Sequence, residues 1–256
     1  MFFEKRKGNA VKIPAFGYLD FSHRSDELEI MDDPASAEDS LRTTLRQFSF
    51  INRFFSRTRT LFCRYIFPDI LKTGLRQVTI LDVGAGGGDF ARWCVSFLKR
   101  RGIVPRVICL DSDARAIDYL RDACATFPEI KIDHASFFDL DKPDDSIDYV
   151  LSTHVLHHVS DAQIPGFLRL AYSIARRGVL IVDLERRLAA YRAFSVFSAL
   201  FFRKGFTRYD GLLSIRKGFS SEDVRGYIDA AGLNGHVKVR TSALWHLVIW
   251  GTKLHQ

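Results

Sequence analysis

The sequence predicts an α/β fold built on a mostly parallel sheet with helices on both faces. Three observations carry this. Short, apolar, β-branched runs alternate with helical patterns between residues 78 and 183. Within each run the apolar character is continuous, as expected of strands buried on both faces. The first run, Val78-Thr79-Ile80-Leu81-Asp82-Val83, breaks into Gly84-Ala85-Gly86-Gly87-Gly88 and then into the helical pattern Phe90–Leu98. Strand, glycine turn and helix in succession place backbone where a nucleotide-like ligand can approach.

Composition sets outer bounds. The chain has 256 residues, 47% hydrophobic and 26% charged, enough for one domain with a full-size core. The N-terminus, Met1-Phe2-Phe3-Glu4-Lys5-Arg6-Lys7, has charges with no apolar stretch behind them and does not read as a secretory leader. The longest apolar region, Ala189–Phe202, is interrupted by Tyr191, Arg192, Ser195 and Ser198, too short and broken to span a bilayer. Cys63, Cys94, Cys109 and Cys124 form no Cys-x-x-Cys pair and no metal spacing with the histidines. They are expected to be reduced and buried in a cytoplasmic protein, with no structural disulfide and no metal site. The net charge of +7 invites a nucleic-acid reading. The basic residues are spread out, however. The densest patch, Arg42, Arg46, Arg53, Arg57, Arg59 and Arg64, reads as a solvated helix face with one or two ligand contacts, so nucleic acid is disfavoured.

Taken in order, residues 1–34 read as irregular, punctuated by Pro14, Gly17 and Pro34. Ser36 is a candidate helix cap with Asp39 three residues on. The helix behind it carries Leu41, Leu45 and Phe48 at helical spacing, and a second stretch, Asn52–Leu71, carries six aromatic or leucine residues. Residues 1–75 thus read as an N-terminal helical cap on a domain spanning 76–256. The core then gives strand Val78–Val83, helix Asp89–Arg101, strand Arg106–Leu110, helix Ala114–Ala125, strand Ile130–Ala135, strand Ile147–Leu151, helix Gln163–Ala175 and strand Gly178–Asp183. Residues 184–219 are long for a connection and therefore read as a functional insert. It holds a helical run, Arg187–Arg203, with Phe194, Phe197, Leu200 and Phe201 on one side, and a turn, Gly205–Gly211. A phenylalanine stripe is most often core packing, but the same amphipathic helix could touch a membrane surface. Ser220 or Ser221 caps a helix over Glu222–Ala231 that ends at Gly232. His236–Val239 and Trp245–Gly251 read as a final pair of strands, one antiparallel to the rest.

Spacing narrows the ligand. Counting six from Gly84 gives Asp89, which breaks the dinucleotide fingerprint, and Gly88-Asp89-Phe90 is not a P-loop ending. What remains is Asp82-x-Gly84-x-Gly86-x-Gly88, followed about 20 residues on by an acid ending the next strand, Asp111. These two motifs resemble those of the class I S-adenosylmethionine-dependent methyltransferases. The resemblance covers about residues 78–255 and implies a Rossmann-like seven-stranded sheet with S-adenosyl-L-methionine at the strands' C-terminal ends. It implies that Gly84, Gly86 and Gly88 pass under the cofactor, that Asp82 helps hold its ammonium group and that Asp111 holds its ribose. Ser136 and Phe137 follow the third strand, where such enzymes contact adenine; the acid common there is displaced to Asp139. Ser152 ends the fourth strand beside the cofactor. The 184–219 insert is then the acceptor lid, with Arg208 and Tyr209 as acceptor contacts.

The segment Ser152-Thr153-His154-Val155-Leu156-His157-His158-Val159 resembles the post-strand segment of the quinone-biosynthesis methyltransferases. It lacks the prolines of enzymes that methylate base amino groups. His154, His157 and His158 are candidate general bases for a phenol, enol or carboxyl acceptor, with His154 favoured as nearest the strand end; packing of the loop is the alternative. The expected activity is methyl transfer to oxygen, or to an activated carbon, of a small, apolar, aromatic, quinol or polyketide acceptor. An RNA methyltransferase and a non-catalytic cofactor-binding module are the alternatives. The oligomeric state is left open.

Overall fold

The computed structural model describes residues 20–140, 147–202, 204–242 and 244–253, apart from the side chains of residues 53 and 54. Pro14, Gly17 and the Arg53 side chain named above lie outside them. Seven strands form one sheet: β1 Gln77–Val83, β2 Val104–Asp111, β3 Ile130–His134, β4 Ile147–Thr153, β5 Ala175–Leu184, β6 Lys238–Ser242 and β7 His246–Thr252. Their order is β3-β2-β1-β4-β5-β7-β6. The first five run parallel, and β7 pairs antiparallel with both β5 and β6. This is the mixed, mostly parallel Rossmann-like sheet that the sequence predicts.

The order reverses at β1. From β1 the chain winds outward to β2 and β3, then returns to pair β4 on the other side of β1, with Val83 opposite Ser152. Open α/β sheets place ligands outside the strands' C-terminal ends at such a switch point. The glycine turn after β1 and the histidine segment after β4 are thereby made neighbours.

Alternation along β1 divides the core. Val78 and Ile80 face one side, with Tyr149 and Leu151 of β4; Leu81 and Val83 face the other, with Val150. The first side is covered by α2 (Thr58–Tyr65), α3 (Phe67–Thr73) and α4 (Asp89–Lys99). Phe62 is fully buried there, its ring edge-on to Phe90, Trp93 and Phe97. The second side is covered by α6 (Ile164–Ile174) and α9 (Ser221–Ala230), where Phe167 and Ile228 are buried. Helix α5 (Ala114–Cys124) closes on β2 and β3. All four cysteines are free thiols, three of them buried.

Three local expectations change. Ser36 does not cap α1 (Glu38–Ile51); Ala37 occupies the cap position, and the Ser36 hydroxyl accepts from Arg115 Nη1 at 2.7 Å. The predicted helix 52–71 is broken: Asn52–Ser56 is a π-type turn, Arg57 is left-handed with φ 55°, and Pro68 opens α3, a position proline suits because no donor is lost. The predicted turn 205–211 is mostly helix. Gly205 (φ 77°) separates α7 (Leu188–Phe201) from α8 (Thr207–Lys217), but Gly211 sits inside α8. A Cβ there would lie 2.5 Å from the Phe194 ring, so this glycine serves helix packing and not a turn. Ser220 does form a full capping box with Asp223 at the start of α9.

Phe62 ties the N-terminal helices to the sheet, so Phe62→Ala should cost about 3–5 kcal/mol. Urea unfolding checks this; a loss well below 1 kcal/mol would mean that α2 is not part of the cooperative core.

Candidate active site

A cavity of about 500 Å³ opens at the switch point, lined by the glycine turn, the ends of β2 and β4, and residues of α1, α7 and α8. Its first half is built by β1 and β2. Gly84, Gly86 and Gly88 all have positive φ. A Cβ on Gly84 would lie 2.2 Å from Val155 Cγ2, so the turn can pack against the histidine segment only without a side chain. At Gly86 the nearest atom to an added Cβ is Leu45 Cδ2, 3.8 Å away, which leaves that backbone open to the cavity. Asp111 accepts from Gly86 N (2.9 Å) through Oδ2 and from Asp113 N (3.1 Å) through Oδ1. Asp113 takes the capping duty of α5, accepting from Arg115 N, which leaves Asp111 on the cavity wall.

Three carboxylates crowd this end. Burial, then the nearby charges of Asp89 and Asp111, push Asp82 up to about 8. Burial also raises Asp111 and Asp89 from their ordinary values, for Asp89 against the pull of Arg59 and Arg92. Ionising such a cluster needs a cation or several donors in place. An open glycine backbone, a ribose-height carboxylate and buried acids of raised pKa together fit a ligand carrying an ammonium group and a ribose.

Of the expected cofactor residues, Gly84, Gly86, Asp111, Ser136 and Phe137 line the cavity. Asp82, Gly88 and Ser152 do not. Asp82 points to the same sheet face as Ile80, beneath the turn. A Cβ on Gly88 would lie 2.3 Å from Leu120 Cδ1, so this glycine allows α4 and α5 to approach. Ser152 faces inward one residue before the turn-out, with its hydroxyl buried and unpaired, and Thr153 takes the wall position instead. The Phe137 ring packs 4.6 Å from Phe167 in the core and also borders the cavity.

The second half of the cavity holds the histidines. His154 leaves β4 with φ 57°, an uncommon conformation for a side chain of this size, and such strain gathers at functional positions. Its ring stacks on His246, with Nε2 3.1 Å from His246 Nε2. His246 Nδ1 is 2.8 Å from the Leu244 carbonyl, which can only accept. Burial lowers both rings, His154 to about 3 and His246 to about 4, so both are neutral at neutral pH. His246 therefore accepts at Nε2, His154 donates there, and the free lone pair of His154 is on Nδ1.

His157 is held differently. Its Nδ1 donates to Asp183 Oδ1 at 2.7 Å, and its backbone N–H donates to Asp183 Oδ2 at 3.2 Å. Burial opposes ionisation of Asp183, but the charge and hydrogen bond of His157 hold it well below the usual carboxylate range. His157 Nε2 points the other way, 3.6 Å from Glu29 Oε1. His158 Nδ1 bonds Asp32 at 2.9 Å. Burial works against its charged form, yet that bond and the carboxylates of Glu29 and Asp32 raise its pKa. Glu29, His157 and His158 bring three ligand-type atoms within 4.8 Å of one another. Lys217 Nζ stands 3.6 Å from Glu29 Oε1, a cation already supplied by the chain.

The sequence gives no sign of Glu29, Asp32, Lys217 or Ser214. They come from the irregular N-terminal segment and from α8. Asp210 of α8 fixes that segment by accepting from Ile30 N (2.8 Å) and Met31 N (3.0 Å). Arg24 clamps it to the histidine loop through the carbonyls of His157 (3.0 Å) and Val159 (3.3 Å). Asp183 had a readable signal: it ends the fifth strand as Asp82 and Asp111 mark the ends of earlier ones. Arg208 and Tyr209 lie on the first turn of α8 outside the cavity lining; Gly211, Ser214 and Ile215 of the same helix line it instead. The cause is the helix itself, which turns the inward face to the later positions.

Residues 80–178 match the family model of a methyltransferase domain. No curated protein matches the chain by sequence. Solved structures share its fold. A SAM-dependent methyltransferase from Aquifex aeolicus is 15% identical, covering 83% of this chain and 98% of its own, with a TM-score of 0.54. Human N-acetylserotonin methyltransferase, solved in complex with SAM, is 14% identical over 86% of this chain and 57% of its own, TM-score 0.58. The CMeT domain of the citrinin polyketide synthase is 16% identical over 68% of this chain and 46% of its own, TM-score 0.52. The matched methyltransferase domain and the shared fold support S-adenosylmethionine-dependent methyl transfer, with S-adenosylmethionine as the cofactor.

The raised pKa of Asp82 carries a sign. The folded state keeps a proton that the unfolded state loses above pH 4, so this residue destabilises the cofactor-free fold progressively as pH rises toward 8. Asp82→Asn should therefore gain stability relative to the wild type between pH 5 and 8, on the order of 2–4 kcal/mol, while losing affinity for S-adenosylhomocysteine. Denaturant unfolding across that range checks the first part and calorimetry the second; a stability difference flat with pH would contradict it.

Proposed function

We propose that the chain transfers the methyl group to an oxygen, or an activated carbon, of a small, apolar acceptor of aromatic, quinol or polyketide type. The observation that carries this reading is that one cavity joins the glycine turn to an apolar chamber with a histidine–carboxylate pair in its wall. The chamber is lined by Phe48, Phe55, Phe194, Phe197 and Trp245, and His154, His157 and His158 border the same cavity. Such a lining takes a flat, poorly hydrated molecule and orients its one polar group. The fold shared with a polyketide synthase CMeT domain is consistent with this acceptor class. The quinone-biosynthesis branch rests on the histidine segment that follows β4.

When bound, the cofactor supplies a sulfonium methyl for in-line attack. The residues of this chain hold the acceptor, exclude water and manage one proton. Alignment of the two reactants in one apolar cavity can contribute on the order of 7–11 kcal/mol. For the proton, His157 is better placed than His154. Asp183 accepts from Nδ1, so in the neutral ring Nε2 is the nitrogen that can accept a proton from an acceptor hydroxyl or an acidic carbon. His154 is buried as a weakly basic ring and is suited to accepting a hydrogen bond at Nδ1. His158, paired with Asp32, is suited to holding charge near an acceptor anion.

His157→Ala and Asp183→Asn should lower kcat by about 10²–10⁴ while leaving S-adenosylhomocysteine affinity within a few-fold of wild type. The assay is methyl transfer from labelled S-adenosylmethionine to a panel of phenols, quinols and β-ketoacyl compounds. Full turnover in His157→Ala would remove that residue from the scheme, and full turnover in His154→Ala would leave His154 a packing residue.

A further inference from the structure

We propose that the outer face of α7 docks on an anionic membrane surface. The helix is apolar on two sides. Its inner side, Ala190, Phe194 and Phe197, borders the cavity. Its outer row carries Val196 (65% exposed) and Leu200 (70%), with Leu188 (37%) at the start of the helix and Arg192 between them, while Phe201 continues the inner row with its ring 4.8 Å from Phe197. Among the described residues nothing covers this outer row, and an uncovered apolar face is an interaction surface. With 14 residues it is about 21 Å long, too short for a bilayer core of about 30 Å, so it lies on a membrane and does not cross it.

Charge selects the partner. Between residues 186 and 209 the sequence has six arginines and lysines and no acid. Arg192 is exposed within the outer row, Arg187 (3.8 Å from Glu185) just before the helix, and Lys204 and Arg208 are exposed beyond its C-terminal end. An apolar face rimmed by cations is the pattern of an interfacial helix on anionic lipid. A second copy of the chain is a poor occupant, because two such faces would bring like charges together with no acid to neutralise them. RNA would use the cations but gains nothing from valine and leucine between them. The inference stands on this surface alone and does not depend on which acceptor is methylated. It does put the acceptor chamber and the membrane on opposite sides of one helix, which suits a lipid-soluble acceptor.

The test is co-sedimentation of the full chain with vesicles of phosphatidylcholine alone and of phosphatidylcholine with one-third phosphatidylglycerol. We expect binding to the second, weakened by salt. Val196→Asp with Leu200→Asp should reduce it about tenfold or more, and Arg192→Glu with Lys204→Glu roughly fivefold per residue. None of these four positions lines the cavity, so calorimetry with S-adenosylhomocysteine should be unchanged in every variant and separates a folding defect from a docking defect. Failure to bind either vesicle, binding indifferent to the aspartates, or a solution dimer that the aspartates dissociate would each overturn the proposal.

Discussion

The parallel pairing of β4 with β1 is the constraint on which the rest depends. It places Val83 opposite Ser152, so that both strands end at the same height and the chain leaves both in the same direction. The two segments that follow must then share one space. Gly84 pays the steric cost of that closeness: without a side chain it admits Val155, with one it would collide. From this contact the cavity has a floor of glycine backbone on one side and a histidine wall on the other.

The two halves of the cavity solve opposite electrostatic problems. On the cofactor side, burial of the acids outweighs the pull of Arg59 and Arg92 on Asp89, and all three carboxyls are pushed upward, Asp82 to about 8. On the acceptor side, acids and bases are matched. Asp183 is held by His157, Asp32 by His158, and Glu29 stands beside Lys217. The first arrangement is poised to receive a cation. The second is a finished network that can orient a hydroxyl and move a proton without importing charge. Its completion depends on a segment far away in sequence, pinned by Asp210, whose own carboxyl burial raises to about 7.

The sheet and the cofactor end were legible because their signals are local. Continuous apolar runs fixed the strands to within a few residues, and the glycine spacing together with Asp111 identified the ligand class. The acceptor end was legible only as a list of histidines. Which of them is oriented depends on Asp183 and Glu29, at distances along the chain that no spacing rule connects. The Gly205–Gly211 stretch shows a different failure. Glycine was read as a turn former at both ends, while in the fold Gly211 is a close-packing position inside a helix, and Arg208 and Tyr209 turn away from the cavity with it. Ser36 failed for a similar reason: a better use of its hydroxyl, a bond from Arg115, competes with capping.

The most direct measurement is a calorimetric titration of the wild-type chain with S-adenosylhomocysteine, with NAD as the control. The account predicts one-to-one binding of S-adenosylhomocysteine and none of NAD, since the turn lacks the dinucleotide spacing. Binding of NAD, or of neither ligand, would contradict the assignment of the glycine turn and the Asp82–Asp111 pair to the methyl donor.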